Sequence, residues 1–220
     1  YSQEHLMVKK LSSELLEFMK NNFGKVLEIN VKTVERDIAS NLDTAVEKII
    51  MQSIAREFPQ DAIVSEESSP NFKTNIGRFW LLDPLCGSNN VAHGIPLFVT
   101  NIVLIERNQV MAAWAVDYAQ KRLVWSVGDG LVYNGDAPLK KIGTIPKAHL
   151  VDFDSGYFWE LAKVHQGGYA NALKDLFLKK EVEIQAYNSS IGFLYVATGQ
   201  IHGALTINVR PWDVLAACFL

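Results

Sequence analysis

The chain has 220 residues, of which 49% are hydrophobic, enough for a substantial core. A formal net charge of −3 excludes a nucleic-acid binder that works through bulk positive charge. No apolar run approaches the ~20 residues of a membrane span, no secretory signal pattern is present, and Cys86 and Cys218 alone are too few for a disulfide framework. Together these point to a cytoplasmic chain without a membrane partner.

In chain order, Val8, Leu11, Leu15 and Phe18 share one face of a helix predicted over 3–21. A strand-like stretch follows over 26–32. Ser40 can cap a second helix, with Leu42, Val46, Ile49 and Ile50 on its core face and its end before Pro59. Residues 62–65 and 79–82 read as strands. Stretches 100–106, 110–117 and 122–127, joined by short turns, read as an antiparallel meander, and Gly128, Gly130 and Gly135 punctuate its end. Helical segments are expected over 160–180, interrupted by Gly167-Gly168. A helix over 189–198 ends at Gly199, residues 204–207 read as a strand, and Asp213 falls in the first turn of a last helix. Repeats and low-complexity linkers are absent from the sequence. The order divides into residues 1–145, a helix pair plus antiparallel sheet, and residues 146–220, a second α/β layer.

The most informative segment is Asp83-Pro84-Leu85-Cys86-Gly87-Ser88-Asn89-Asn90, after the apolar Phe79-Trp80-Leu81-Leu82. It sets a carboxylate at a strand end, then a Pro-started turn. Hard divalent cations need converging oxygen ligands, and an Asp oxygen, the Leu85 carbonyl and the Ser88 hydroxyl lie within six positions. Alone, the segment reads equally well as a turn in which Pro sets φ and Gly takes a left-handed conformation. Two further carboxylate clusters shift the balance: Ser65-Glu66-Glu67-Ser68, and Arg210-Pro211-Trp212-Asp213-Val214-Leu215-Ala216-Ala217. Acids at two strand ends and one helix start can converge on a cation. The competing readings are bland: Asp43 and Asp213 as acids favouring a helix N-terminus, Glu67 as a solvated neighbour, Trp80 and Trp212 as packing, and Asp117, Asp129, Asp152 and Asp154 as turn residues.

In order and spacing, these motifs resemble the inositol monophosphatase family. This is a magnesium-dependent, lithium-sensitive phosphatase group that includes fructose-1,6-bisphosphatase. The family pattern is a Glu-Glu pair, then Trp-x-x-Asp-Pro-[Leu/Ile]-Asp-Gly-[Thr/Ser]-x-Asn, then a late Trp-Asp-x-Ala-[Ala/Gly]. Here these are Glu66-Glu67, Trp80 to Asn90 with one mismatch, and Trp212-Asp213-Val214-Leu215-Ala216-Ala217, where Leu215 stands at the pattern's first Ala. The resemblance implies a layered αβαβα sandwich, with a large, mostly antiparallel sheet and a second, smaller one. It implies metal ligation by Glu66, Asp83, the Leu85 carbonyl and Asp213, with Cys86 at the position of a further ligand. Glu66, Ser88 and Asp43 would be catalytic, orienting an attacking water. Gly87, Ser88, Asn89 and Asp213 would bind phosphate or substrate, with backbone N–H groups after Gly87 receiving phosphate oxygens. The implied ion is Mg2+, with Mn2+ as a second candidate. A small phosphorylated substrate and a homodimer are the implied partners. His93 occupies a structural histidine position near the site, and Lys32 and Asp37 match residues of an active-site loop. Family members continue for several tens of residues beyond the Trp-Asp helix, so at Leu220 the resemblance implies either a missing remainder or an incomplete second sheet.

The departures bear on chemistry. Cys86 replaces a carboxylate shared with the second metal, and magnesium binds thiols poorly. Thr206 stands where inositol-specific members tend to have a glutamate. Tyr187-Asn188-Ser189-Ser190 departs from the Gly-[Ser/Thr]-Ala-Ala pattern that shapes their substrate site. Three functions follow as alternatives. One is a metal-dependent phosphomonoesterase acting on a polyol or sugar phosphate. The second is an impaired relative that binds a phosphate ligand or a protein partner. The third is a hydrolase that uses a softer metal because of Cys86.

Overall fold

A computed structural model describes residues 1–25, 29–31, 38–69, 77–139, 149–154, 174, 175, 178, 182–206 and 209–220. Lys32, Asp37 and most of the helical segments expected over 160–180 lie outside them. Helices α1 (Ser2–Asn22) and α2 (Asn41–Glu57) flank an antiparallel ribbon of β1 (Ile29–Val31) and β2 (Ile38–Ser40). A seven-stranded sheet follows: β3 (Ala62–Ser65), β4 (Arg78–Cys86), β5 (Val99–Glu106), β6 (Gln109–Asp117), β7 (Arg122–Ser126), β8 (Tyr133–Asn134) and β9 (Ala137–Pro138), adjacent in chain order. Short helix α3 (Ser88–Ala92) leaves the end of β4. Only β3 and β4 pair in parallel; each later neighbour is antiparallel. A smaller sheet pairs β10 (His149–Phe153) in parallel with β11 (Val182–Gln185) on one side and β12 (Gly203–Leu205) on the other. Helices α4 (Ile191–Ala197) and α5 (Pro211–Phe219) complete the described elements.

The two-residue period of strands sorts the core into two faces. On β4, Trp80 and Leu82 meet Val8, Leu11, Leu15, Val46 and Ile50 of the helix pair. Phe79 and Leu81 point to the opposite face and meet Val64, Val103, Ile105, Trp212 and Ala216. There α5 covers the sheet, and α4 continues the cover through Ile191 and Leu194 against Val99, Ala115 and Val124. The described layers are therefore helix pair, large sheet, helices α4 and α5, and small sheet. These are four of the five layers of the αβαβα sandwich expected from the sequence.

Two local readings need correction. The Asp-Pro segment is not a turn after the strand. β4 runs on through Pro84 to Cys86, with its pairing to β5 interrupted between Asp83 and Cys86. An irregularity is where a strand tolerates proline, which has no N–H to donate to the ladder. Buried Leu85 anchors the extension in the core, and Thr100 Oγ1 donates to the Pro84 carbonyl at 2.6 Å. Asp152 is also not a turn residue: it lies within β10, fully buried. Its Oδ1 accepts the Tyr187 N–H at 2.9 Å, and its Oδ2 has no partner among the described residues. A Cβ at residue 192 would come 1.8 Å from that Oδ2, so only glycine fits there.

Candidate active site

The strand period that sorts the core also assembles the acids. Phe79, Leu81 and Asp83 alternate onto the α5 face of β4. β3 pairs with β4 through Val64↔Leu81 and Ser65↔Leu82, and the Glu66 N–H donates to the Leu82 carbonyl at 3.2 Å. Glu66 thus follows β3 beside Asp83. On the other side, Asn101 of β5 sits opposite Asp83. Its Nδ2 lies 2.9 Å from Ser190 Oγ, 3.3 Å from the Trp212 carbonyl and 3.4 Å from the Asp213 carbonyl. That amide ties the first turn of α5 to the strand carrying Asp83. Asp213 Oδ2 accepts the Arg210 N–H at 2.7 Å, which fixes its rotamer at the helix start.

The result is a triangle: ligand atoms of Asp83, Cys86 and Asp213 lie within 4.8 Å of one another. Asp83 is fully buried, and among the described residues neither of its oxygens has a hydrogen-bond partner apart from the neighbouring Cys86 thiol. Burial, then the charges of Glu66 and Asp213, push its carboxyl well above the usual carboxylate range. Burial also raises Asp213, with help from Glu66, to about 7. Burial and the two aspartates push the Cys86 thiol upward. An isolated buried charge of this kind costs several kcal/mol unless a cation or donor meets it. Acids placed against one another without donors are what a divalent cation requires, and the donor set is rich in hard oxygen. The residues fit such an ion.

A second cluster adjoins the first. Ser40 caps α2, and Asp43, three residues on, returns the bond. Asp43 Oδ2 accepts the Ser40 N–H at 2.8 Å and the Ser40 hydroxyl at 2.6 Å. Asp43 Oδ1 lies 2.5 Å from Ser88 Oγ, which is also 3.1 Å from the Leu85 carbonyl. A hydroxyl has one proton, so Ser88 donates to the carboxylate and its lone pairs stay available. Gly87 turns the chain from β4 into α3 at φ 114°, and a Cβ there would press on the Leu97 carbonyl and Phe98 at 3.0 Å. Ser189 Oγ donates to the Cys86 carbonyl at 2.7 Å, and the Ser190 N–H donates to Cys86 Sγ at 3.1 Å. Asn90 Nδ2 reaches the Leu97 and Tyr187 carbonyls, both at 2.6 Å.

The structure therefore brings Asp83, Cys86 and Asp213 together, sets Glu66 beside Asp83, and joins Asp43 to Ser88 and Leu85. Asn89 is exposed on α3 and Glu67 is half-buried. His93 is exposed, with Nδ1 2.8 Å from the Asn89 carbonyl. Thr206 lies 3.3 Å from Asp154. Sequence reasoning missed Thr100 and Asn101, and it gave no buttressing role to Asn90, the last residue of the motif, or to Ser189 and Ser190. The one available signal was the Asn-Ser-Ser run before a helix.

The sequence pattern of the inositol monophosphatase family matches residues 3–220. The chain belongs to that family. Among relatives, it is 27% identical over 186 residues to the Nus factor SuhB of Salmonella typhimurium, covering 82% of this chain and 67% of that protein. It is also 27% identical over 201 residues to the fructose-1,6-bisphosphatase/inositol-1-monophosphatase of Aquifex aeolicus, covering 90% and 74%. The fold matches an IMPase/NADP phosphatase solved with NADP and Ca2+ at a TM-score of 0.83, with 17% identity, covering 99% of this chain and 80% of that one. Inositol monophosphatase family membership supports phosphatase chemistry and a divalent metal in general terms. Among the described residues, no helix is long and apolar enough to cross a membrane.

Proposed function

We propose that the chain is a divalent-metal-dependent phosphomonoesterase acting on a small polyol or sugar phosphate. The observation carrying this reading is buried Asp83, met by no donor but the Cys86 thiol among the described residues and set between Glu66 and Asp213. Glu66, Asp83 and the Leu85 carbonyl would hold one ion, Mg2+ or Mn2+, and Asp83, Asp213 and Cys86 a second. Bound there, divalent ions make water more acidic and neutralise the ester's oxygens. Ser88 and Asp43 handle the water: the Ser88 hydroxyl donates to Asp43 and accepts a hydrogen bond from the water, and the proton moves towards Asp43 Oδ1. The water oxygen bonds to phosphorus, the ester P–O bond breaks, and the alcohol leaves with a proton from solvent. No covalent enzyme intermediate is needed. Backbone N–H groups of residues 87–89 and the side chain of Asn89 receive the phosphate oxygens. Residues 1–145 supply all of these groups except Asp213, which comes from 146–220. A cytoplasmic homodimer is part of this reading, on family resemblance.

The test is a phosphatase screen of the purified protein on a phosphomonoester panel, with Mg2+, Mn2+ and Zn2+ in turn. Turnover abolished by chelation and restored by a divalent ion is expected. A second reading has its own observation: Cys86, in place of a carboxylate, weakens the second metal position. Phosphate binding without turnover under every ion would favour that impaired relative and reject the enzyme.

A further inference from the structure

We propose that Asp83, Cys86 and Asp213 form a mixed thiolate–carboxylate site that selects a zinc-class divalent ion over magnesium. The inference rests on the metal-site reading above and deepens it.

Three observations carry it. The first is geometric. The three ligand atoms lie within 4.8 Å of one another; a tetrahedral zinc with ~2.0–2.3 Å bonds sets its ligands roughly 3.3–3.8 Å apart, so the corners need to close by roughly 1 to 1.5 Å at most. Small side-chain rotations complete the contact. Three protein ligands with a fourth position open are also the common pattern of catalytic zinc. Magnesium instead takes oxygen ligands in near-octahedral array and keeps its waters. The second is Asp83, fully buried, whose two oxygens have no partner among the described residues except the Cys86 thiol of the same triangle.

The third is the support around the sulfur. The Ser190 N–H donates to Cys86 Sγ at 3.1 Å. Groups outside the ligand set that orient a ligand in this way also tune the metal it holds. Ser190 Oγ lies 2.9 Å from Asn101 Nδ2, and the same amide lies within reach of the Asp213 carbonyl at 3.4 Å. One side chain thus steadies two corners of the triangle. A cysteine that merely filled space would need neither a backbone donor nor two carboxylates beside it. On binding, Cys86 gives its thiol proton to solvent and ligates as thiolate, so the ion meets one soft and two hard anionic donors. Softness at one corner favours zinc or cobalt over magnesium.

The experiment uses the full chain carrying Cys218→Ser. Cys218 is exposed, and its removal leaves Cys86 as the only thiol. Co2+ is titrated while the near-ultraviolet sulfur-to-cobalt charge-transfer absorption is followed. The expected result is a band that saturates at one equivalent, is abolished by stoichiometric Zn2+, and persists in about hundredfold excess Mg2+. Losing a group outside the ligand set already costs about 10- to 100-fold in metal affinity. Cys86→Ser in the same background should therefore lose the band and bind Co2+ about 100-fold more weakly or worse. Absence of the band in the folded protein that retains Cys86 would overturn the proposal, as would displacement of cobalt by an equal concentration of Mg2+. That measurement stands even if Cys86→Ser does not fold. Turnover is scored separately. Activity without the band rejects the zinc-class selection alone, and the band without activity under any ion rejects the phosphatase alone.

Discussion

Asp43 and Asp83 are both buried aspartates of one site, 1% and 0% exposed, and their oxygens meet opposite surroundings. Asp43 is complete without any ligand: Ser40 occupies one oxygen and Ser88 the other. Asp83 meets only the Cys86 thiol as a donor among the described residues, and it faces Glu66 and Asp213. The first arrangement stabilises the fold and holds a hydroxyl in a fixed direction. The second destabilises the fold until a cation arrives. An acid satisfied by protein donors positions a reactant, whereas an acid left among other acids binds a metal.

Asp83→Asn breaks the contrast most severely. Turnover should fall by about a thousandfold or more, since the central ligand is lost. Without metal, the variant should unfold at the same or higher temperature, because relieving an unpaired buried charge is often stabilising. The measurement is paired: steady-state activity, and thermal melts with and without Mn2+. An ion that stabilises wild type at 100 times its Kd adds ~2.7 kcal/mol, and the variant should lose that increment. A metal-dependent shift of undiminished size in Asp83→Asn would detach the residue from any cation.

Ser88→Ala and Asp43→Asn probe the satisfied side. Each should lower turnover by about 10- to 1000-fold, the scale of lost acid–base help, while leaving Mn2+-induced stabilisation in place. Asp43→Asn should also cost about 1 kcal/mol through the α2 cap, seen in denaturant melts. Unaltered turnover in both variants would remove the pair from the mechanism.

Cys86→Asp moves the triangle towards hard ligands. Its magnesium-induced thermal stabilisation should exceed that of wild type, and its apo-form should be less stable because it adds a third neighbouring carboxylate. An equal or smaller magnesium shift would mean that residue 86 does not face the ion.

Asp152 gives the smallest effect. Burial raises its carboxyl to about 6, against partial relief from the Tyr187 N–H. The folded state therefore holds this proton more tightly than the unfolded chain. The associated stability is fully present below about pH 4 and is lost as pH rises through about 6. Asp152→Asn should flatten the stability profile across that window, and chemical denaturation at pH 4 and pH 7 reads the difference. Profiles of the same slope in both proteins would reject the assignment.

What the sequence made legible follows from short-range physics. Ser40 and Asp43 announce their reciprocal cap three residues apart, and apolar spacing places both α1 and α2. Asp83, Glu66 and Asp213 were nameable because each ends or begins an element whose pattern is clear. What stayed hidden depends on contacts across the fold. Pro84 looked like a turn because nothing local shows Thr100 holding its carbonyl, 16 positions away. Asp152 looked like a turn residue because its burial comes from Gly192 and Tyr187. The Asn-Ser-Ser run at 188–190 read as an altered substrate site, yet its serines bond to Cys86 over a hundred positions away.

A crystal of the full chain soaked in Mn2+, with anomalous scattering recorded, tests the metal reading directly. Density should appear between Glu66, the Asp83 carboxylate and the Leu85 carbonyl. Density elsewhere at millimolar Mn2+, with that position empty, would contradict it.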